Sequence, residues 1–409
     1  MKLGRYDTRR RGATLVLVTT IGVIIGILGL SMMQIGWYAR LLAVRDVEKV
    51  SARCAADAGL AQAFMQMQQK LIRAHQDLVA WTGPVGPGSG SLEGTNAAYS
   101  YQVATNAWHY EIISTGTCGV AGKTVHAVLD LDSYAEGIGV DETIDAKNGT
   151  YFGITGPGSI WDMKIRSNTT LADAMIFRTN VRVDGDVFCG PGGDPAEVVE
   201  VKQNVSIAGQ VGSSPSRMVW PDISIPNNLT PGPALTGPGS VPLPQGRYSY
   251  TNLTISNTVP DTIVEIAPDL VNVPPQPTVI YVADTMTLGQ GSEIRVLAGA
   301  SLEIYIGEAL ISGNSSGFSN LNNYAATLKI FGLPTCDQIE LKTKSGTFAT
   351  VYAPDADVDL YNEGDFYGSI VANSFEMKNS GNFYFDTKLK VVTIDDLLAR
   401  FVVGRWWEG

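Results

Sequence analysis

Hydrophobic and polar positions divide this chain into three patterns. From Gly12 to Ala39 there is no charged residue, and the run closes at Arg40. A bilayer core of roughly 30 Å takes about 20 apolar helical residues, so this pattern predicts a membrane-spanning helix. The run is too long for the apolar region of a signal peptide, and no small-residue cleavage site closes it. Past Arg40, apolar residues recur at three- and four-residue steps: Leu41, Val44, Val47, Val50, Ala58, Ala61, Met65 and Leu71. No proline or turn cluster interrupts them before Thr82-Gly83-Pro84. One helix over 13–81 is expected, lipid-facing in its first half and amphipathic in its second, with a plain membrane anchor followed by a separate helix as the alternative.

The second pattern has period two. After a Gly/Pro/Ser-rich linker over 82–98, strand-like runs at Tyr99–Val103, Trp108–Ser114 and Lys123–Leu131 predict a small β-sheet over 99–132. Trp108, His109 and Tyr110 read as cross-strand packing in preference to a binding cluster.

The third pattern begins near Ser133, where short apolar strands are broken by Gly, Asn, Asp or Ser. In Ala300–Gly307, Leu302, Ile304 and Ile306 point one way and Glu303 and Tyr305 the other. Such repetition without a helical period predicts a β-solenoid over 133–392, each coil burying its face on the next. A two-sheet sandwich is the competing arrangement. The prolines of 215–245 mark an extended excursion. Residues 393–409 open with a capping-box pattern, Thr393 to Asp396, and read as a C-terminal helix covering the solenoid's open end. A partner- or membrane-facing tail using Trp406 and Trp407 is the alternative. The expected fold class is α+β, mainly β: long N-terminal helix, small antiparallel sheet, β-solenoid and capping helix.

Charge narrows the function. With 29 basic and 40 acidic residues, a formal charge of −11 excludes a general polyanion binder, so no nucleic-acid partner is expected. Lys2, Arg5, Arg9, Arg10 and Arg11 form a basic leader, 1–12, ahead of the apolar run. The positive-inside rule keeps that leader in the cytoplasm and sends the bulk of the chain out, giving a single pass through the inner (cytoplasmic) membrane, with lipid against residues 12–39.

Candidate chemistry is sparse. Cys54, Cys118, Cys189 and Cys336 lie far apart, with only three histidines, which excludes a zinc site of the usual spacing. They are buried or free thiols, or one disulfide joins two of Cys118, Cys189 and Cys336. Gly313-Asn314-Ser315-Ser316-Gly317 spells a nucleophile elbow, but every histidine precedes it, and it reads as a turn. Asp355, Asp357 and Asp359 would share the outer face of one strand as a solvated acidic cluster. Calcium binding and paired-carboxylate hydrolysis are the sharper readings; Leu360, where an EF-hand loop has glycine, excludes that motif. No catalytic residue, metal site or cofactor is assigned, and the chain is not expected to be an enzyme.

Two resemblances add to this reading. Arg10-Arg11-Gly12-Ala13-Thr14-Leu15-Val16, followed by Ala55-Ala56-Asp57-Ala58-Gly59-Leu60, resembles the start of PilX-type minor pilins. The resemblance implies cleavage by a prepilin peptidase between Gly12 and Ala13, and helix packing with other pilin-like subunits. Leu17 stands where major pilins carry the glutamate that would neutralise the new amine. Val351–Ala356, Phe366–Ala372 and Asn382–Asp386 resemble a domain of unknown function that recurs behind pilin-like N-termini in bacterial surface proteins, and loosely the bactofilin-type β-helices, over Arg247–Leu389. The function implied is a membrane-anchored, pilin-like structural surface protein, a minor component or assembly factor of a type IV pilus or secretion pseudopilus. The alternative is a surface-anchored β-helix protein that binds or cleaves polysaccharide, with Tyr305 and Tyr361 as exposed aromatic contacts.

Overall fold

The computed structural model describes residues 9–77, 81–106, 109–134, 136–255, 261–272, 275–343, 346–362, 364–378, 381–391, 393–394, 396 and 399–409. They form two compact units: 1–69 with 83–130 and 401–409, and 70–82 with 131–400.

In the first unit, helix α1 runs without a break over Arg9–Asp77, 69 residues. Nothing in it removes a backbone donor, and leucine, alanine, methionine and glutamine are frequent, as a long helix needs. From Leu17 to Val50 its large apolar side chains stand exposed around the whole circumference, among them Leu17, Ile24, Leu30, Trp37 and Val47. The buried stripe begins further on, at Ala52, Ala55, Ala56, Gly59, Ala63 and Met67. It is offset from the Ala58, Ala61 and Met65 face expected from the sequence; Met65 remains exposed.

The stripe is small because the sheet comes close. Gly88–Ser91, Ala97–Asn106, His109–Cys118, Ala121–Ser133 and Ala399–Glu408 form, in that order, a five-stranded sheet. The first three pairings are antiparallel and in continuous register. A Cβ at Gly116 would collide with the Ala52 carbonyl oxygen and the Ala56 nitrogen, so helix and strand backbones touch there. Around this seam Tyr101 Oη donates to Gln66 Oε1 at 2.7 Å, and the Phe401 amide donates to Gln68 Oε1 at 2.9 Å.

Two expectations are corrected in this unit. The linker 82–98 contains a paired strand, Gly88–Ser91, because Tyr99 and Tyr101 cover its glycines. The C-terminal helix is replaced by strand Ala399–Glu408. Phe401, Val402, Val403, Trp406 and Trp407 are strand formers, and the free edge of Ala121–Ser133 gives them a ladder to join. Phe401 packs edge-on against Tyr110 at 5.5 Å. Positions 395, 397 and 398 of the expected helix, and Trp108 of the aromatic cluster, lie outside the described residues.

The second unit is built from parallel ladders. In the segment 278–320, strands Thr278–Val282, Thr285–Leu288 and Glu293–Val296 align with Leu302–Ile306, Ala309–Ser312 and Gly317–Asn320 at one 24-residue offset. Side chains alternate: Leu302, Ile304 and Ile306 join one continuous buried core with Ile280, Leu310, Ile330 and Val351.

Stacking order departs from chain order. Gly137–Val140, Lys164–Ser167, Asp186–Cys189 and Val211–Ser213 stack in sequence, as do Ile144–Ala146, Met175–Phe177 and Val199–Val201. A second series runs from Arg247–Tyr250 through Thr278–Val282, Leu302–Ile306 and Leu328–Gly332 to Thr347–Asn362 and Phe366–Met377. That series closes on the first, with Ile370–Ala372 beside Ile138–Val140 and Asn382–Asp386 beside Tyr151–Thr155. The chain therefore works outward from the middle of the stack and must cross to its far end before building back.

Residues 214–231 make that crossing as a strap. Asn168 exchanges two 2.8 Å hydrogen bonds with Met218, Arg217 pairs with Asp141 at 2.8 Å, and Trp220 lies over Gly139. Tyr352 Oη donates to the Pro221 carbonyl at 2.9 Å, and Arg247 Nε donates to that of Asn227 at 2.9 Å. Ile223 and Leu229 pack on Val279, Tyr305, Phe331 and Tyr352. The excursion expected over 215–245 is thus only partly outside the ladders: Thr230–Pro231 and Gly239–Leu243 are strands of them.

Candidate functional site

The acidic strand lies within Thr347–Asn362, where Ala356, Val358 and Leu360 are buried and Asp355, Asp357 and Asp359 alternate outward. The three carboxylates serve different neighbours. Asp355 is pushed up by desolvation and by Asp222 and Asp141. Asp357 accepts from Ser374 Oγ at 2.6 Å and Asn373 Nδ2 at 3.1 Å. Asp359 pairs with Lys378 at 3.4 Å, yet desolvation outweighs that partner and raises its pKa. Among the described residues, no group of three His, Cys, Asp or Glu side chains is placed to hold a metal ion.

Asp357 and Asp359 line an open groove of ≈ 680 Å³ with Asp145, Asp173, Asp337 and Lys378. Parallel register makes this surface a charge pattern. Glu340, Asp359, Glu376, Asp145, Ile176 and Glu200 occupy one row across successive strands. Two residues further along each strand stand Lys342, Tyr361, Lys378, Lys147, Arg178 and Lys202. The rows interlock: Lys147 meets Glu376 at 2.6 Å and Asp145 at 2.9 Å, and Arg178 meets Asp145 at 2.7 Å. Burial pushes the Asp145 carboxyl up, but hydrogen bonds from Arg178 and Lys147 prevail and hold it below the ordinary aspartate range. Glu376 is lowered in the same way by Lys147 and Lys378, against desolvation.

Sequence reasoning missed this zipper, although its signal was present as acidic-apolar-basic triplets: Asp145-Ala146-Lys147, Glu200-Val201-Lys202, Glu340-Leu341-Lys342 and Glu376-Met377-Lys378. Chemically, the arrangement holds strands in register and matches Asp145 and Glu376 to cations, while Asp173, Asp337 and Asp357 of the same groove stand outside the rows. A hydrolase would need an acid and a base free to face each other across bound substrate.

The other singled-out residues fall as follows. Gly12 and Ala13 lie within α1, while residues 1–8 lie outside the described residues. Gly313–Gly317 is the turn between strands Ala309–Ser312 and Gly317–Asn320, where Ser316 Oγ donates back to the Gly313 carbonyl at 2.7 Å. All four cysteines are free thiols; burial raises the Cys189 pKa and pushes Cys336 up to about 12. Tyr305, expected as an exposed contact, is 4% exposed because the strap covers its face. Tyr361 lies between Lys342 and Lys378, at 4.9 and 5.9 Å. Trp406 covers Arg53, and Trp407 stacks on His126 at 5.1 Å.

Residues 235–392 match the family model described as a domain of unknown function (DUF7305). The match takes in the second ladder series and the strands that close it on the first. No curated protein matches this chain. Among solved structures, the chain is similar to the competence-associated pilin ComZ from Thermus thermophilus, at 13% identity and a TM-score of 0.22 over 88% of this chain and 97% of that one. That likeness is too loose to carry an argument.

Proposed function

We propose that this chain is a membrane-anchored, pilin-like structural surface protein, a minor component or assembly factor of a type IV pilus or secretion pseudopilus, whose ladder-built head is a β-solenoid. The observation that carries the reading is α1. Its first half is long and apolar enough to cross a membrane, with apolar side chains exposed around it, and its second half seats a small-residue stripe on an antiparallel sheet. A helix apolar all round needs lipid or packed neighbours, and a bilayer or a bundle of like helices supplies either. The basic residues before it favour a cytoplasmic N-terminus and an extracytoplasmic head. The single 24-residue offset of three strands supports the solenoid. The head is proposed to be structural and without a cofactor; Asp145, Asp359 and Glu376 of its groove are tied into the charge rows.

The test is the intact mass and N-terminal sequence of the protein recovered from membranes of its native cells. A chain beginning at Ala13 is the expected result and identifies a prepilin peptidase substrate. Recovery in the soluble cytosolic fraction, or a membrane form retaining Met1–Gly12, overturns the pilin assignment.

A further inference from the structure

The two ends of the ladder stack are finished differently. At one end, residues 230–243 fold over the last strands: Leu235 is buried in the core, Thr262 Oγ1 donates to the Gly237 carbonyl at 2.7 Å, and Tyr250 Oη to that of Pro233 at 3.0 Å. Edge strands there carry Pro231 and Pro242, which have no amide hydrogen to offer. The other end, formed by Val199–Val201, Ser206–Ile207 and Val211–Ser213, has neither device among the described residues. Val201 is 55% exposed and Val211 45%, although Val201 continues the inward-facing column of Phe177.

Hydrogen bonds show which backbone groups this end leaves pointing outward. The Lys202 amide donates to the Phe177 carbonyl at 2.9 Å, the amides of Ser206 and Ala208 to Val181 and Val183, and the Ser214 amide to Cys189. Strand alternation turns the N–H and C=O groups of Val201, Ile207 and Ser213 the other way.

We infer that this open end is a self-association surface, on which a second copy docks end to end about a two-fold axis through Val201. With the axis there, Val201 of each copy exchanges two backbone hydrogen bonds with its mate, and Glu200 of one copy faces Lys202 of the other. The charges are therefore complementary in the register that the backbone dictates. The same axis sets Ser206–Ile207 of one copy against Val211–Ser213 of the other and buries the exposed valines. A register centred on Glu200 would oppose like charges and inward-pointing backbone groups. Because the far end is plugged, the assembly closes at two copies. This inference rests on the ladders alone and is independent of the pilin reading.

The experiment uses the full chain in detergent micelles, followed by sedimentation equilibrium. Val201→Pro removes an outward N–H that no strand within the chain uses, and is expected to weaken dimerisation by about tenfold or more, the scale of a lost ladder bond and its apolar contact. An unchanged dimerisation constant, or a monomeric parent chain, overturns the inference. Should Val201→Pro fail to fold, cross-linking decides in a Cys54→Ser background. Val201→Cys should oxidise to a covalent dimer, since facing Cα atoms about 5.5 Å apart accept a disulfide. Val211→Cys alone should not, whereas mixed with Ile207→Cys it should. Failure of the Val201→Cys chain to link, or equal self-linking at 201 and 211, also overturns it.

Discussion

Substituting Gly116 by alanine tests the closest approach in the first unit. The added Cβ would lie nearer than 3.0 Å to the Ala52 carbonyl oxygen and the Ala56 nitrogen, and at 3.0 Å from the Ala55 carbonyl carbon. All three are helix backbone atoms, so no rotamer change relieves the clash and α1 must lift from the sheet. Overpacking of this kind costs about 1–3 kcal/mol, and backbone neighbours place it at the upper end, near 2–3 kcal/mol. Lifting also withdraws van der Waals contact from Ala52, Ala56, Gly59 and Ala63 together. The assay is hydrogen exchange by mass spectrometry on peptides from 50–70 and 109–118. A loss of about 2–3 kcal/mol appears there as exchange faster by roughly 30- to 160-fold when opening limits exchange thermodynamically. Gly122→Ala is the control, because nothing lies within 4 Å of its Cβ position. Gly59→Ala should fall between them, since it meets the side chains of Ser114 and Tyr99, which are able to move. Equal exchange in the Gly116 and Gly122 variants would refute the proposed seam.

Two further predictions concern the ladder unit. Asp145 has a lowered pKa in the folded chain, so its ion pairs stabilise above the ordinary value of 3.8 and are lost as pH falls through the folded value. The stability difference between parent and Asp145→Asn, measured by urea unfolding across that range, should be constant near neutrality and shrink towards acid; a difference that grows with acid would contradict the sign. Lys329 reaches Asp396 at 3.2 Å and Glu303 at 3.9 Å in a buried setting, where burial raises the Glu303 pKa. Lys329→Met should cost about 3–5 kcal/mol by leaving carboxylates without their cation, and adding Glu303→Gln should recover part of that. If the double variant is no more stable than the single, the coupling is absent.

Several elements were legible from residue pattern alone. The uncharged run from Gly12 to Ala39 announced α1, and the alternation in Leu302–Ile306 identified the inward face. Alternation says which face of a strand is buried, but not which strand lies beside it. The stacking of Phe366–Met377 on Gly137–Ala146 was therefore invisible, and so was the strap. Tyr305 points away from the core as its parity requires and is nevertheless buried, because a segment some eighty residues earlier covers it. On α1, a stripe through Val47, Val50, Ala58, Ala61 and Met65 suggested the packed face, whereas the contact uses Ala52, Ala55, Ala56, Gly59 and Ala63 because the sheet approaches to backbone distance. At the C-terminus, a local capping signal at Thr393–Asp396 competed with the strand propensity of Phe401–Trp407, and tertiary pairing favoured the strand. The groove's charge rows escaped notice because their members are adjacent only across strands.

The strap also sets a timetable. A ribosome releases Gly137–Ala146 more than two hundred residues before Phe366–Met377, the strand that pairs with it. Until then, the middle of the finished stack is a bare β-edge on a nascent chain. Such an edge invites mispairing, and contacts this distant in sequence form slowly. Chain segments that emerge in order could add one strand at a time from a single seed, but here the last strands to be made must fit between two parts already in place. A truncated product ending before residue 366 would keep that edge exposed for its lifetime, so complete chains and prematurely ended ones should differ sharply in their tendency to aggregate.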